Sequence, residues 1–295
     1  MLEISVPITP ELMDELEALF CEAIQENWLL FQKDRHSTPL LKGYFENQDA
    51  FDAAFANLIE QVPDLQGREP EIGTLEDQDW KLAYRHHLKP WKVGHLNWVP
   101  EWERETFPRV DADVYLYLDS GMAFGTGSHE TTRLCAEAIY AFWTEREGEV
   151  ANCNVIDAGC GSGILAMSAA LLGFGEIYAF DRDPEAVKVT AENAEKNGMQ
   201  TRIEIREAGL EQGLRDRRAE LMVANIQADV LMIYADNLVR AWDPKGVMIL
   251  SGVLAPEREK VTERFLEEMA NQMPERKIAT QWHQQGDWVS ILFRS

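Results

Sequence analysis

Two acids and three glycines between residues 155 and 183 have the spacing of a site that holds a nucleotide. Two short apolar runs each end on a carboxylate, the first on Asp157 and the second on Asp181. Asp157 is followed by three glycines at alternate positions, Gly159, Gly161 and Gly163, and then by an apolar stretch of helical length. A strand, a glycine turn, a helix and a strand that ends on an acid form the first unit of a nucleotide-binding α/β domain. Glycine lets backbone N–H groups approach a ligand closely.

The position of Asp157 indicates which nucleotide the loop holds. Residues 161–166 (GSGILA) also fit the G-x-G-x-x-A pattern of dinucleotide sites, so a dinucleotide such as NAD is an alternative. A carboxylate where the strand meets the loop would repel a pyrophosphate, whereas it would attract the sulfonium and ammonium groups of S-adenosylmethionine. The pattern therefore favours S-adenosylmethionine, with Asp181 accepting hydrogen bonds from the ribose hydroxyls.

The composition limits the classes of protein and of partner. A chain of 295 residues with 45% hydrophobic residues is long enough for two domains. We expect a cytoplasmic protein, because the sequence has neither a signal peptide nor a membrane-spanning stretch. The four cysteines and six histidines show no metal-site spacing, so we expect no metal. A net charge of −23 disfavours direct binding to nucleic acid and favours a basic partner.

Residues 1–75 are predicted to form a small domain of their own. Their pattern of elements is β-α-β-β-α-β, which is typical of a ferredoxin-like sandwich. This segment has 15 acidic and four basic residues, so it carries −11 of the net charge of −23. We predict that it is a docking domain for a basic protein substrate. The alternative is a stabilising or dimerising appendage.

Residues 76–112 are predicted to be a linker rich in tryptophan. Aromatic and basic residues alternate here, as in some nucleic-acid sites, but the acidic net charge argues against that function. Packing of the tryptophans as anchors is the better explanation. We expect His86 and His87 to be surface or hinge residues and not catalysts.

Residues 113–295 are predicted to form the S-adenosylmethionine-binding domain. A loop rich in Gly, Thr and His (residues 119–132) precedes the nucleotide unit, and we predict that it closes over the cofactor as a lid. Phe124, Thr126 and Thr132 are its predicted cofactor contacts, although a simple capping turn would also explain one threonine. Further helices and strands follow, among them a helix that starts at Pro184 with Asp183 as its cap and a single helix over about residues 230–242. A terminal hairpin (residues 278–282 and 288–293) closes the sheet. A parallel sheet with an antiparallel last strand is the architecture of the class I, Rossmann-like methyltransferases.

Six motifs resemble those of the ribosomal protein L-eleven methyltransferases, the PrmA family. They are FGTGSHETT (124–132), DAGCGSGILA (157–166), DRDP (181–184), ENAEKNG (192–198), ANI (224–226) and LSGVL (250–254). The likeness covers residues 76–295, whereas residues 1–75 match the family's N-terminal domain mainly in layout. It implies cofactor contacts at Thr132, Gly159, Asp181 and Asn225. Two residues depart from the family pattern: Glu130 replaces the usual proline and Gln227 a common leucine.

The resemblance implies an S-adenosylmethionine-dependent N-methyltransferase. Its acceptors would be lysine side chains and an N-terminal amine of a large-subunit ribosomal protein. We expect a monomer in which Asn225, at the end of a predicted strand, positions the acceptor amine. One alternative is a methyltransferase of the same fold for another protein lysine or a small-molecule amine. An alternative of another class is a non-catalytic S-adenosylmethionine-binding or assembly protein.

Overall fold

The chain forms two compact units, Met1–Tyr84 and Arg85–Ser295. The computed structural model describes residues 2–10, 12, 13, 16, 19, 20, 27–31, 37–45, 47–74, 89–118 and 129–295. The predicted lid residues Phe124 and Thr126, and the histidines His86 and His87, lie outside the described residues. The predicted domain boundaries at residues 75 and 112 stay predictions.

The first unit contains a four-stranded antiparallel sheet. Its elements are β1 (Leu2–Pro7), β2 (Trp28–Phe31), β3 (Leu40–Phe45), α1 (Gln48–Gln61) and β4 (Glu71–Thr74). The strand order is β2-β3-β1-β4, with β3 between β1 and β2, which is the predicted ferredoxin-like arrangement. Between β1 and β2, residues 10, 12, 13, 16, 19 and 20 are helical, and Leu12 and Leu16 are buried. The rest of the helix predicted there lies outside the described residues.

The second unit begins with a small sheet of three strands. These are β5 (Trp91–Val93), β6 (Leu96–Pro100) and β7 (Val114–Leu118), and two of them lie in the predicted linker. The rings of Trp91 and Trp98 stack across β5 and β6 with centroids 3.8 Å apart. The Trp98 Nε1–H donates a buried hydrogen bond of 2.9 Å to Ser168 Oγ. These tryptophans therefore anchor the segment to the unit that contains the nucleotide motif, which is the packing function predicted for them.

A seven-stranded sheet with helices on both faces forms the rest of this unit. Its strands are β8 (Val155–Ala158), β9 (Ile177–Asp181), β10 (Ile203–Glu207), β11 (Ala219–Asn225), β12 (Trp242–Leu254), β13 (Ala279–Gln285) and β14 (Trp288–Arg294). The order is β10-β9-β8-β11-β12-β14-β13, and the first five strands are parallel, while β14 is antiparallel to both its neighbours. This is the predicted class I methyltransferase sheet. The order reverses between β8 and β11, where ligands bind in open α/β sheets.

The strands of the sheet domain are connected by helices, not all of which begin at a side-chain cap. They are α2 (Glu130–Glu145), α3 (Ile164–Leu171), α4 (Pro184–Lys196), α5 (Leu210–Gly213), α6 (Ala228–Ile233), α7 (Ala235–Ala241) and α8 (Arg258–Gln272). Asp183 caps α4 as predicted: its Oδ1 accepts a hydrogen bond of 2.9 Å from Glu185 N. The single helix predicted for residues 230–242 is instead two helices, which meet at Tyr234. Apolar periodicity detects the buried face but not this break, because both short helices bury the same side.

Candidate functional site

A cavity of about 460 Å³ lies at the edge of the sheet where β8, β9 and β11 end. This volume is within the range of small-molecule sites. The residues that line it are His129, Thr131, Gly159, Gly161, Phe180, Asp181, Arg182, Ala208, Gly209, Leu210, Asn225, Ile226, Gln227, Val230, Tyr234, Gly252 and Trp288.

Asp181, the last residue of β9, organises one end of the cavity. Its Oδ2 accepts a hydrogen bond of 3.0 Å from Gly161 N, and its Oδ1 accepts one of 3.0 Å from Asp183 N. The carbonyl oxygen of Phe180 accepts hydrogen bonds from the N–H groups of Gly159 (2.9 Å) and Cys160 (3.0 Å). The glycine loop is therefore tied to the end of β9, and the carboxylate and the loop form one wall of the site.

The glycine loop has a backbone that only glycine adopts without strain. Gly159, Gly161 and Gly163 have φ angles of +74°, +55° and +78°. A Cβ on Gly159 would lie 2.6 Å from Ile226 Cγ2, and a Cβ on Gly163 would lie 2.7 Å from Thr190 Cγ2. The backbone conformation and the lack of room for a Cβ therefore both require glycine at positions 159 and 163.

Helix α4 holds the glycine loop from behind. Thr190 Oγ1 donates to the carbonyl oxygen of Gly161 (2.8 Å), and Asn193 Nδ2 donates to that of Ser162 (3.1 Å). Thr190, Asn193 and Ser162 are all fully buried. Because these groups lie away from water, each would leave an unsatisfied partner if it were lost, so the loop is kept in one conformation.

Asp157 lies beneath the loop and not on the cavity wall. Its side chain is buried, and Oδ2 accepts a hydrogen bond of 2.9 Å from Ala166 N in the first turn of α3. Burial raises the pKa of Asp157 to about 7; the bond from Ala166 opposes this shift, and the nearby charge of Asp181 adds to it. Asp157 thus fixes the start of α3 and places a titratable group behind the loop.

Asn225, the last residue of β11, lines the middle of the cavity and is nine-tenths buried. Its Nδ2 lies 3.5 Å from Thr132 Oγ1, a long contact between β11 and α2. Its Oδ1 is buried and has no hydrogen-bond partner among the described residues. A buried carbonyl oxygen without a donor is uncommon in folded proteins, and its chemistry allows it to accept a hydrogen bond from an N–H group.

The end of the cavity away from Asp181 is aromatic and comes from distant parts of the chain. His129 precedes α2 and its Nδ1 contacts Thr131 Oγ1 at 2.8 Å, while its ring lies 5.1 Å from the Trp288 ring at 65°. Gly252 has a φ of +79°, and a Cβ there would lie 2.3 Å from the carbonyl oxygen of Ile226. This close approach lets β12 pass against the residues that follow β11.

The structure brings together four of the predicted site residues on the cavity wall: Gly159, Gly161, Asp181 and Asn225. Asp157, Gly163 and Thr132 lie behind that wall, where they support it. Their predicted contacts with the cofactor, like the other predicted site roles, stay predictions.

The sequence analysis missed several residues that line the cavity. Thr131 and His129 belong to the same motif as Thr132, which was the residue predicted to contact the cofactor. The motif therefore identified the correct segment, but not the side chains in it that line the cavity. Ala208, Gly209 and Leu210 follow the end of β10, at the same edge of the sheet as Asp181. Nothing in the local sequence indicates Trp288, because it begins an antiparallel strand at the far end of the chain.

Two kinds of feature are absent from the described part of the chain. Among the described residues, no cluster of three or more His, Cys, Asp or Glu side chains could hold a metal ion. No helix within the described ranges is long and apolar enough to span a membrane.

Comparison with known proteins assigns the family. The model of the ribosomal protein L11 methyltransferase (PrmA) family matches residues 11–295. A ribosomal protein L11 methyltransferase of Pelobacter propionicus is 35% identical over 262 residues, which cover 86% of this chain and 81% of the relative. The corresponding protein of Marinobacter nauticus is 30% identical, with 99% of this chain and 98% of the relative covered.

A solved structure agrees with these relatives. The crystal structure of a ribosomal protein L11 methylase from Lactobacillus delbrueckii subsp. bulgaricus has a TM-score of 0.58 and 29% identity to this chain. The match covers 68% of this chain and 95% of that one. The predictions of a class I methyltransferase fold, of S-adenosylmethionine as cofactor and of a protein N-methyltransferase are thereby confirmed. The chain belongs to the ribosomal protein L11 methyltransferase (PrmA) family.

Proposed function

We propose that this protein transfers methyl groups from S-adenosylmethionine to amine nitrogens of ribosomal protein L11, on lysine side chains and at the N-terminal amine. The observation that carries the proposal is the buried, unpartnered Oδ1 of Asn225 in the middle of the cavity, which has no donor among the described residues. It offers an acceptor to a substrate N–H at the end of a central strand.

The cavity residues fit S-adenosylmethionine. The glycine loop approaches closely enough for its backbone to contact a ligand, and Asp181 can accept from both hydroxyls of a ribose while it holds Gly161. Asp157 lies behind the loop, and its ionised form favours a cationic ligand there. When bound, the cofactor supplies an electrophilic methyl group on a sulfonium.

The protein contributes mainly position and the exclusion of water, because methyl transfer is an in-line displacement. We assign Gly159–Gly163 to the methionine part of the cofactor, and Thr132 to fixing the start of α2 against Asn225. Phe124 and Thr126 of the predicted lid would cover the cofactor. Asn225 Oδ1 would accept from the acceptor amine and point the nitrogen lone pair at the methyl group.

The acceptor amine must lose a proton before it reacts. A free lysine has a pKa near 10.4, so it is mostly charged at neutral pH. Burial in the cavity favours the neutral amine, and a neutral carbonyl acceptor such as Asn225 Oδ1 does not hold the extra proton as a carboxylate would.

We also propose a docking function for the acidic N-terminal segment, residues 1–75. Its charge of −11 complements a basic ribosomal protein. Such a substrate favours the cytoplasm as the location of the enzyme, and we expect it to act as a monomer.

The test incubates the purified protein with radiolabelled S-adenosylmethionine and either purified L11 or a ribosome-free cell extract. Label on L11, and on a band of the same mass in the extract, is the expected result, with much weaker label for Asp181→Ala at the same, subsaturating cofactor concentration. Glu207→Ala is the matched control, because Glu207 is exposed and pairs with Asp181 in register at the same edge of the sheet. Label on another protein would replace the substrate, and cofactor binding without any label would favour a small-molecule acceptor or a binding protein.

A further inference from the structure

The acceptor end of the cavity is walled by aromatic rings instead of charges. Trp288 and His129 line it, and the His129 ring contacts the Trp288 ring edge to face. Of the described residues that line the cavity, Asp181 is the only carboxylate, and it ends β9. A cationic substrate nitrogen therefore meets rings and amide groups at this end.

The order of the sheet separates Trp288 from the cofactor end. Because β14 is antiparallel to β12, its first residue, Trp288, lies at the same edge as the carboxyl ends of the parallel strands. Strand β14 is four places from β9 in the sheet, which at about 4.8 Å per strand corresponds to about 19 Å. It is only two places from β11, which carries Asn225. Trp288 therefore lies on the far side of Asn225 from Asp181.

We propose that Trp288 binds the acceptor: its indole face holds the positively charged nitrogen of the lysine and of its methylated product. The inference rests on the proposed function, since it assigns a residue to the acceptor side of that reaction. Tryptophan is the strongest of the aromatic side chains in binding cations in this way.

The balance of charge in methyl transfer explains why a ring suits this position. The amine arrives as an ammonium cation and loses a proton to solvent water. Its lone pair then forms the new N–C bond as the S–C bond breaks, so the positive charge passes from sulfur to nitrogen. A carboxylate at this position would raise the pKa of the ammonium and oppose the loss of the proton. An aromatic face attracts the cation without binding a proton, and it needs no N–H, so it binds amines that already carry methyl groups.

The test measures binding to protein saturated with S-adenosylhomocysteine, so its outcome does not depend on turnover. The probe is N-acetyl-Nε-trimethyllysine amide, compared by calorimetry with its neutral isostere, in which carbon replaces the quaternary nitrogen. We expect the wild-type protein to bind the cation about 2- to 30-fold more tightly than the isostere. Trp288→Leu should abolish this preference, and Trp288→Phe should retain part of it.

Trp282→Leu is the matched control. Trp282 lies on β13 of the same hairpin, is 49% exposed and stacks against Arg258, but it does not line the cavity. This variant should keep the wild-type preference. If Trp288→Leu does not fold, Trp288→Phe decides, because a preference equal to the wild type in that variant contradicts the inference.

The two proposals fail in different ways. A wild-type protein that labels L11 but does not distinguish the cation from the isostere overturns the role of Trp288 and leaves the function standing. The role of Trp288 is also overturned if the preference survives in Trp288→Leu. A wild-type protein that prefers the cation but labels no protein overturns the substrate assignment.

Discussion

The two ends of the cavity differ in how the chain builds them. The cofactor end comes mostly from one continuous unit, the glycine loop and the end of β9, in which Asp181 and Gly161 bond directly. The acceptor end is assembled from four separate segments, represented by His129, Asn225, Gly252 and Trp288. Binding of the cofactor therefore depends on local geometry, whereas positioning of the acceptor depends on how distant strands pair.

The strongest effect that we expect separates the two ends through Asn225. Asn225→Ala removes the buried, unpartnered oxygen that we assign to the acceptor amine, so kcat should fall about 100-fold. The affinity for S-adenosylmethionine should fall by less than about tenfold, because the variant loses the implied cofactor contact at Asn225 but keeps Asp181 and the glycine loop. Single-turnover labelling of L11 and calorimetry with the cofactor measure the two effects. Asn271→Ala, at an exposed position of α8, is the control and should change neither. Equal losses in both measurements would remove the distinction between the two ends.

For Asp181→Ala we expect the main loss in the affinity for S-adenosylmethionine. The variant loses the proposed ribose contact and also the acceptor for Gly161 N and Asp183 N. Hydrogen bonds to a charged group contribute about 1.5–3 kcal/mol, so the cofactor affinity should fall about 10- to 100-fold in calorimetry. Cofactor binding that survives at wild-type strength would contradict the assignment, provided that Glu207→Ala behaves as the wild type.

Substitution of Gly252 tests whether the acceptor end depends on the close approach of β12 to the residues that follow β11. Gly252→Ala combines a left-handed backbone with a clash against the Ile226 carbonyl, so it should destabilise the protein by about 2–4 kcal/mol. Gly286→Ala also has a positive φ, of +59°, but meets nothing within 4 Å, so it should cost only about 1 kcal/mol. Urea unfolding of both variants measures the difference. If the two variants lose the same stability, the contact with Ile226 is not what requires glycine at position 252.

A weaker effect is a pH dependence that belongs to Asp157. Its pKa is about 7 in the folded protein, well above the ordinary value for Asp. Between about pH 4 and pH 7 the folded state therefore holds a proton that the unfolded state has lost. The free energy of unfolding should then fall as the pH rises, by at most about 1.4 kcal/mol per pH unit. Asp157→Asn should flatten this slope in urea unfolding series at several pH values, because Asn does not titrate. The variant should still fold, because the Asn side-chain oxygen can also accept from Ala166 N. An unchanged slope would mean that other groups cause it.

Much of the fold could be predicted because its signals are local. The Asp183–Pro184 start of α4 and the glycine turn after β8 depend on residues within a few positions of each other. The break between α6 and α7 at Tyr234 and the strands of the tryptophan-rich segment were not predicted. The strands depend on contacts with remote residues, such as the bond from Trp98 to Ser168.

Neighbouring residues were sufficient to identify the nucleotide unit, the acids at the ends of its strands and the family of the chain, since local patterns carry all three. The folded chain was needed to show that Asp157 is buried behind the glycine loop and that Thr131, instead of Thr132, lines the cavity. It was also needed to bring Trp288 to the acceptor end. The physical reason is that the sheet order brings the start of an antiparallel strand beside the ends of parallel ones, a pairing that no local pattern records.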